Sequence, residues 1–311
     1  MDSNFDNKKY IYKVFGLTVS SDFLLTELMP SEGHVDVEII NGKVPQSDYT
    51  LHESTTNGYA KKDELYFRIK GTGNYFVANG NKIIVEPDAG ADALTVKLYL
   101  LGTSLGTILL QRRILPIHGS AIVIDGQCVI FTGLSGAGKS TLSFALREKG
   151  YPFLSDDVSA IKRGEDGTLW VQPGYPQQKI CRDYLENTGG DISELSQINA
   201  ERDKYAVPVR QGFYSSPVRL AAVCELVTKD SGEVSLQELA GPHKMAILMN
   251  HTYRAQLLHY FNLRTEHFNQ CAEVSKRISV YRLSRPKSKF TVDEQIEQII
   301  KALNKKKLLA V

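Results

Sequence analysis

The stretch Gly-Leu-Ser-Gly-Ala-Gly-Lys-Ser at residues 133–140 meets every position of the phosphate-binding pattern GxxxxGK[ST]. Its glycines let backbone N–H groups approach phosphate oxygens without interference from a Cβ atom, and its lysine adds a point charge. Its serine hydroxyl is a suitable Mg²⁺ ligand. The stretch therefore predicts that ATP and Mg²⁺ are the cofactors. The residues predicted to hold the nucleotide are Gly133, Ser135, Gly136, Ala137, Gly138, Lys139, Ser140 and Thr141.

The residues on both sides of this loop have the pattern that a phosphate loop requires. Residues 127–132 form a run of β-branched and aromatic residues typical of a strand, and residues 141–149 read as a short helix that ends at Gly150. An anion held between them gains from the free amides and the positive dipole at the helix start. The alternative interpretation is a glycine-rich turn without a ligand.

Asp125 and Gly126 separate the strand before the loop from an apolar run at 121–124. An Asp-Gly pair favours the type I′ turn of a tight β-hairpin. The loop is therefore predicted to follow an antiparallel hairpin, whereas most phosphate loops follow a strand of a parallel sheet. This arrangement resembles the phosphoenolpyruvate-carboxykinase and HPr kinase/phosphorylase group. The resemblance implies an α/β fold with a mixed α+β sheet around a P-loop core.

Two further motifs resemble those of the bacterial HPr serine kinases. In those kinases a His-Gly pair begins the strand before the loop, and an Asp-Asp pair ends the strand after the following helix. Here these places are taken by His118-Gly119 and by Asp156-Asp157. The resemblance implies that Asp156 is the catalytic base for a substrate hydroxyl and that Asp157 helps Ser140 to hold Mg²⁺. It also implies that His118 contacts the reacting phosphate or Asp156.

The residue types suit phosphoryl transfer without reference to any family. Such transfer depends mainly on positioning and on neutralising charge, and one carboxylate can accept the proton of the attacking hydroxyl. At a strand end the neighbouring side chains of Asp156 and Asp157 can both approach one metal–phosphate cluster. Lys139 supplies positive charge there and is counted with Asp156 and His118 as catalytic. The alternatives are a solvated turn for the acids and a structural role for His118.

The composition of the chain limits which partners and which cellular location are expected. The chain has 311 residues, 42% of them hydrophobic, and a formal net charge of +2, which gives no electrostatic case for nucleic acid or an anionic membrane. The four cysteines lack metal-ligand spacing and are predicted to be reduced thiols. Residues 1–7 are polar and acidic, unlike a signal peptide, and Asp92 and Lys97 interrupt the leucine-rich stretch at 91–110. We therefore expect a cytoplasmic protein without a membrane partner.

The pattern of strands and turns divides the chain. Short strands recur between Gly, Asn and Asp turns early in the chain, which predicts a mainly antiparallel β domain over residues 1–88. A P-loop kinase domain is predicted over residues 89–311, beginning with a helix at about 92–112. The basic residues Arg202, Lys204 and Arg210 either supply charge to the transferring phosphoryl group or form solvated surface.

The whole-chain outline resembles the HPr-kinase-like enzymes that are encoded with lasso-peptide biosynthesis. The residues that carry this resemblance are Tyr-Lys-Val-Phe-Gly-Leu at 12–17 and Pro-Gly-Tyr-Pro at 173–176. It implies a peptide partner, a precursor whose C-terminal serine is phosphorylated. True HPr kinase/phosphorylases have an Arg-Gly-Leu-Gly-like signature where this chain has residues 171–176, which speaks against phosphorylase activity and HPr recognition.

Two other functions stay open on the sequence. One is an HPr-type carrier-protein serine kinase/phosphorylase, and the other is a non-catalytic module that binds a peptide when a nucleotide is bound. Assembly into a homo-oligomer is also left open.

Overall fold

The structure is a computed structural model that describes residues 9–45, 58–182, 184, 195–199, 204–209 and 211–309. The chain divides into two compact units. The first contains Met1–Pro116 with Arg254–His267, and the second contains Ile117–Tyr253 with Phe268–Val311. The four cysteines, all within the described residues, form no disulfide.

The first unit is built on an eight-stranded sheet. Its strands are β1 (Tyr10–Val14), β2 (Leu17–Ser21), β3 (Met29–Pro30), β4 (Val37–Asn41), β5 (Gly58–Lys61), β6 (Glu64–Ile69), β7 (Gly73–Ala78) and β8 (Lys82–Pro87), in the order β3-β1-β2-β4-β8-β7-β6-β5. Strand β4 pairs parallel with β2 and with β8, and the other pairings are antiparallel. The parallel pairs were not predicted, because turn signals locate strands without specifying their partners.

A long apolar helical segment packs against this sheet. It consists of α1 (Ala93–Tyr99), a π-helical stretch (Leu100–Ser104) and α2 (Leu105–Gln111). The Asp92 carboxylate caps α1 by accepting from the Thr95 amide at 2.8 Å, and the Tyr75 hydroxyl donates to the Val96 carbonyl at 3.1 Å. Ala93–Gln111 is the one described helix that is long and apolar enough to cross a membrane, and 61% of its most apolar window is buried inside the protein. That burial is typical of a core helix.

The contacts of this helix explain where the compact units divide. Contacts between the helical segment and the eight-stranded sheet place both in the first unit, which therefore extends to Pro116. The sequence instead places the helix with the second domain, beyond a boundary at residues 88 and 89. That boundary stays a prediction about independently folding domains.

The second unit contains the phosphate loop. Its strands are β9 (Leu115–Ile124), β10 (Gln127–Gly133), β11 (Phe153–Ser155), β12 (Val158–Arg163), β13 (Leu169–Gln172), β14 (Gln177–Cys181), β15 (Ser196–Asn199), β16 (Lys204–Pro208), β17 (Val218–Lys229), β18 (Ser235–Glu238) and β19 (Ser279–Pro286). One sheet has the order β10-β9-β12-β13-β17-β19-β18, and β14-β16-β15 form a second, smaller sheet. Strand β10 also pairs parallel with β17, so it lies between β9 and β17.

Further helices among the described residues are α3 (Lys139–Glu148), α4 (Pro242–Asn250), α5 (Leu257–Tyr260), α6 (Arg264–Arg277) and α7 (Val292–Leu309). Helices α3 and α7 pack against strands of the larger sheet. Buried Leu142 and Leu146 of α3 pack with Phe131 of β10 and Ile296 of α7 in one apolar core. The predicted α/β fold class, with a mixed sheet around a P-loop core, is confirmed.

The predicted hairpin before the phosphate loop is also confirmed. Strands β9 and β10 are antiparallel, and Ile124 faces Gln127 across the turn. Asp125 and Gly126 adopt φ values of 50° and 75°, as a type I′ turn requires. The hairpin fixes the register of β10, and with it the point at which the loop leaves the sheet.

Gly133 ends β10 in a conformation that excludes side chains. Its φ is 143°, and a Cβ atom there would lie 2.5 Å from the Leu226 carbonyl oxygen on β17. Gly133→Ala is therefore expected to lower the free energy of unfolding by about 2–4 kcal/mol, because backbone strain adds to the clash. Urea denaturation followed by circular dichroism measures this.

Gly150→Ala is the matched control. Gly150 has a φ of 89°, but no described atom lies within 4 Å of its added Cβ, so only backbone strain remains. A Gly133→Ala loss no larger than that of Gly150→Ala would contradict the steric argument.

Candidate functional site

The predicted strand, loop and helix are present in the required order. Helix α3 begins at Lys139, directly after Gly138, whose φ is 104°. Residues 134–136 form an exposed tip, and Ala137 behind them is buried. The first amides of α3 have no intrahelical acceptor, and they stand at the positive end of the helix dipole. The loop can therefore receive an anion from solvent.

The side chain of Lys139 folds back onto the loop. Its Nζ donates to the carbonyl oxygens of Gly133 at 2.8 Å and of Leu134 at 3.1 Å. Burial lowers the pKa of Lys139, the positive charge of Lys204 lowers it further, and the carboxylates of Asp156 and Asp157 oppose this. The two carboxylates thus favour the charged form of Lys139.

Arg285 supports the loop from β19. Its Nε donates to the Ala137 carbonyl at 3.0 Å, and its guanidinium lies 3.3 Å from where a Cβ on Gly138 would stand. Sequence reasoning missed Arg285, because nothing around it in the chain indicates that β19 ends at the phosphate loop.

Asp156 lies in the bend between β11 and β12 and is only 8% exposed. One carboxylate oxygen accepts from the Ser120 hydroxyl, and the other accepts from the Lys179 amide at 2.8 Å. Ser120 is on β9 opposite Phe131, so Asp156 is one strand away from the end of β10. The two hydrogen bonds orient the carboxylate, and each oxygen keeps a further lone pair for an incoming hydroxyl.

Asp157 turns the chain back toward β9. Its φ is 67°, and its carbonyl oxygen accepts from the Gly119 amide at 3.2 Å. One carboxylate oxygen accepts from Lys179 Nζ at 2.9 Å, and the other is 3.5 Å from His118 Nδ1. Burial would raise the pKa of Asp157, but the charges of Lys179 and His118 outweigh burial and hold that pKa well below its usual range. The carboxylate is therefore ionised.

His118 contacts Asp157 rather than Asp156. Its Nδ1 lies 3.0 Å from the Asp157 carbonyl oxygen, which the left-handed turn at Asp157 directs toward the imidazole ring. Burial lowers the pKa of His118, and the Asp157 charge opposes this. The expected approach to Asp156 is not seen as a hydrogen bond, and the contact with a reacting phosphate stays a prediction.

Lys179 is a site residue that sequence reasoning missed. It is on β14, and it donates to Asp156 through its amide and to Asp157 through its ammonium. Strand β14 is held to α3 by Gln178, whose Nε2 donates to the Ser143 hydroxyl at 2.7 Å. Burial raises the pKa of neighbouring Tyr175 to about 12. A lone lysine in a short polar strand gives no sequence signal of such a position.

Of the three basic residues proposed to face the phosphoryl group, Lys204 is the one that the structure describes. Arg202 and Arg210 lie outside the described residues. Lys204 is on β16 opposite Cys181 of β14, and its charge lowers the pKa of both Lys139 and Asp157. Lys204 is therefore part of the site's electrostatics.

A polar network lies behind the loop. Glu225 on β17 is opposite Thr132, and it accepts from His251 Nε2 at 2.9 Å and from Arg282 Nε at 2.7 Å. The His251 carbonyl in turn accepts from the His118 amide at 2.7 Å. The network thus connects β17 and β19 to His118. Sequence reasoning missed it because its members come from three distant segments.

This network predicts a pH dependence of stability. Burial would raise the pKa of Glu225, but hydrogen bonds from His251 and Arg282 hold it below the ordinary value of 4.5. A carboxylate whose pKa is lower in the folded than in the unfolded protein stabilises the fold at pH values above its unfolded-state pKa. That stabilisation is lost as the pH falls through its folded-state pKa. Glu225→Gln should therefore lower the melting temperature at neutral pH and flatten its decline between about pH 5 and pH 3.

Differential scanning calorimetry across this pH range checks the effect. Glu297→Gln, on the exposed face of α7, is the control and should keep the wild-type decline. An equally steep decline in Glu225→Gln would contradict the assignment.

The residues present fit a metal ion that arrives with a nucleotide. Ser140 and Asp157 offer the oxygen donors that Mg²⁺ prefers, and Mg²⁺ commonly takes one or two protein ligands together with phosphates and waters. Within the described ranges no group of three or more His, Cys, Asp or Glu side chains forms a metal site by itself. A protein-only cage is thus not seen in this part of the chain.

Comparisons with known proteins support an HPr-kinase-like core. No protein-family model matches the chain. Over 96 residues it is 36% identical to the HPr kinase/phosphorylase of Chlorobaculum tepidum, covering 30% of this chain and 27% of that protein. Over 118 residues it is 31% identical to that of Prosthecochloris aestuarii, covering 37% and 33%. Over 131 residues it is 28% identical to that of Lactobacillus delbrueckii subsp. bulgaricus, covering 41% and 38%.

The sequence similarity covers only part of each protein. The chain spans about a quarter to two fifths of the length of these curated relatives. A solved Hpr(Ser) kinase/phosphatase from Coxiella burnetii overlaps 63% of this chain and 94% of its own at 13% identity, with a TM-score of 0.33. A score this low does not define a shared fold. The sequence matches therefore support the resemblance drawn from the motifs, and they do not extend it to the lasso-peptide enzymes.

Proposed function

We propose that this chain is an ATP- and Mg²⁺-dependent serine kinase that phosphorylates a peptide, the C-terminal serine of a lasso-peptide precursor. The observation that carries the proposal is the placement of Asp156 and Asp157 at the end of β10. Their partners Ser120 and Gly119 pair with Phe131 and Thr132, directly before the phosphate loop. The names of the relatives support a kinase. The peptide acceptor rests on the resemblance of the chain outline, and the proposal places the reaction in the cytoplasm without nucleic acid or membrane.

Each residue has a role in this proposal. The loop amides and Lys139 bind the triphosphate, while Ser140 and Asp157 hold Mg²⁺, which neutralises phosphate charge when bound. Asp156 accepts the proton of the substrate serine hydroxyl. At the same time the serine oxygen bonds to the γ-phosphorus, and the bond between that phosphorus and the oxygen of the leaving ADP breaks. Ser120 keeps the Asp156 carboxylate oriented during this transfer.

The test is a phosphorylation assay on defined peptides. Purified protein, ATP and Mg²⁺ are incubated with a precursor peptide that ends in serine, and mass spectrometry should detect one added phosphate at that serine. The same peptide ending in alanine is the control and should gain none. No phosphate on any serine-ended precursor, from a protein that binds ATP, would overturn the proposal.

A carrier-protein kinase is the second candidate, because the curated relatives are HPr kinase/phosphorylases. The same assay with HPr as acceptor separates the two candidates. Faster transfer to HPr than to the peptide would favour the second. If neither acceptor is modified and the peptide binds only when ATP is present, the chain is the non-catalytic binding module.

A further inference from the structure

Lys179 holds both acids of the candidate site. Its amide donates to Asp156 Oδ2 at 2.8 Å, and its Nζ donates to Asp157 Oδ2 at 2.9 Å. Its side chain is only 14% exposed and that of Asp157 is 27% exposed, so the ion pair is partly shielded from water.

We propose that Lys179 occupies the cation position on Asp157 before the nucleotide binds, gives it up to the divalent ion, and then contacts the transferred phosphoryl group. This inference rests on the proposed function. It assigns Lys179 a second state, because a metal on Asp157 would have to compete for a carboxylate whose two oxygens already face Lys179 and His118.

The exchange follows from the charges around Asp157. One carboxylate oxygen faces His118 and the other is taken by Lys179, so a divalent ion must compete with one of them. Two cations on one carboxylate repel each other strongly where water is scarce. The lysine ammonium stands on a flexible four-carbon stem, so it can leave without moving its strand.

The backbone of Lys179 limits where its freed ammonium can go. Its amide stays on Asp156, and neighbouring Gln178 ties β14 to the Ser143 hydroxyl of α3. The side chain thus remains beside the base and the phosphate loop. In the proposed reaction the transferring phosphoryl group is the anion at this place. A positive charge that is already in position stabilises the negative charge that develops on the phosphoryl group in the transition state.

Metal binding without nucleotide tests the exchange directly. Mn²⁺ is the probe, and its free concentration is followed by electron paramagnetic resonance. Lys179→Met should bind Mn²⁺ about fivefold or more tighter than wild type, because a charge-assisted hydrogen bond no longer competes. Lys179→Arg retains a competing cation and should stay near wild type. Adding Asp157→Asn to Lys179→Met should remove the gain.

Lys149→Met is the matched control, since Lys149 pairs with Asp293 at the exposed end of α3 and should bind Mn²⁺ like wild type. Equal or weaker Mn²⁺ binding by folded Lys179→Met would overturn the proposal. A second measurement needs no variant: Mg²⁺ should speed the reductive methylation of Lys179 in the wild-type protein, as mapped by mass spectrometry. An unchanged rate would also count against the exchange.

Kinetics test the phosphoryl contact. Lys179→Met should lower kcat by about 10²-fold with little change in the KM for ATP, because the contact forms only during transfer. A change confined to KM would overturn this contact. If Lys179→Met does not tighten Mn²⁺ binding but the wild-type protein still transfers phosphate, only the proposed role of Lys179 is wrong. If Lys179→Met does tighten Mn²⁺ binding but the wild-type protein transfers phosphate to no acceptor, the proposed function is wrong instead.

Discussion

Asp156→Asn is expected to lower the rate of phosphoryl transfer by about 10²–10⁴-fold while the affinity for ATP stays near wild type. The substitution removes the proton acceptor but leaves the loop amides, Lys139 and Ser140 in place. An asparagine oxygen can still accept from the Lys179 amide, so the bend between β11 and β12 should persist. Single-turnover transfer from radiolabelled ATP and calorimetric titration with a non-hydrolysable ATP analogue measure the two quantities separately.

Asp166→Asn is the control for this prediction. Asp166 also stands in a turn, between β12 and β13, where its carboxylate accepts from the Thr168 amide at 2.9 Å. It should leave transfer and ATP affinity unchanged. If Asp156→Asn lost ATP affinity as strongly as transfer rate, Asp156 would be a structural or nucleotide-binding residue rather than the base.

The local parts of the site could be predicted from the sequence because neighbouring residues specify them. Asp125 and Gly126 determine their own turn, and the glycine pattern determines the loop between β10 and α3. The resemblance to the HPr serine kinases puts the Asp156-Asp157 pair at a strand end, and the structure has it directly after β11. The roles of these residues in transfer stay predictions.

The parts that the sequence could not supply depend on which strands lie side by side. Lys179 and Arg285 reach the loop only because β14 packs on α3 and β19 pairs with β17. Glu225 meets His251 for the same kind of reason. A polar side chain in a strand is usually solvated, so burial and pairing are needed before its function can be recognised. The parallel pairings of β4 were missed because they also join distant segments.

The positively charged side of the site is tested most directly through Lys139. Lys139→Ala is expected to weaken ATP binding by at least about tenfold and to lower transfer by about 10²–10³-fold, because the ammonium meets charge that grows during transfer. The wild-type side chain rests on the Gly133 and Leu134 carbonyls, which lie at the loop and can take water instead. The fold should therefore survive, and circular dichroism with thermal melting checks it.

The two substitutions together separate binding from chemistry. Lys139→Ala should lower both ATP affinity and transfer, whereas Asp156→Asn should lower transfer alone, so their profiles differ although the residues share one cluster of charges. Lys149→Ala, directly after the end of the same helix and away from the loop, should change neither quantity. Wild-type ATP affinity in folded Lys139→Ala would mean that the loop does not bind the triphosphate, and the phosphate-binding interpretation of residues 133–140 would then be wrong.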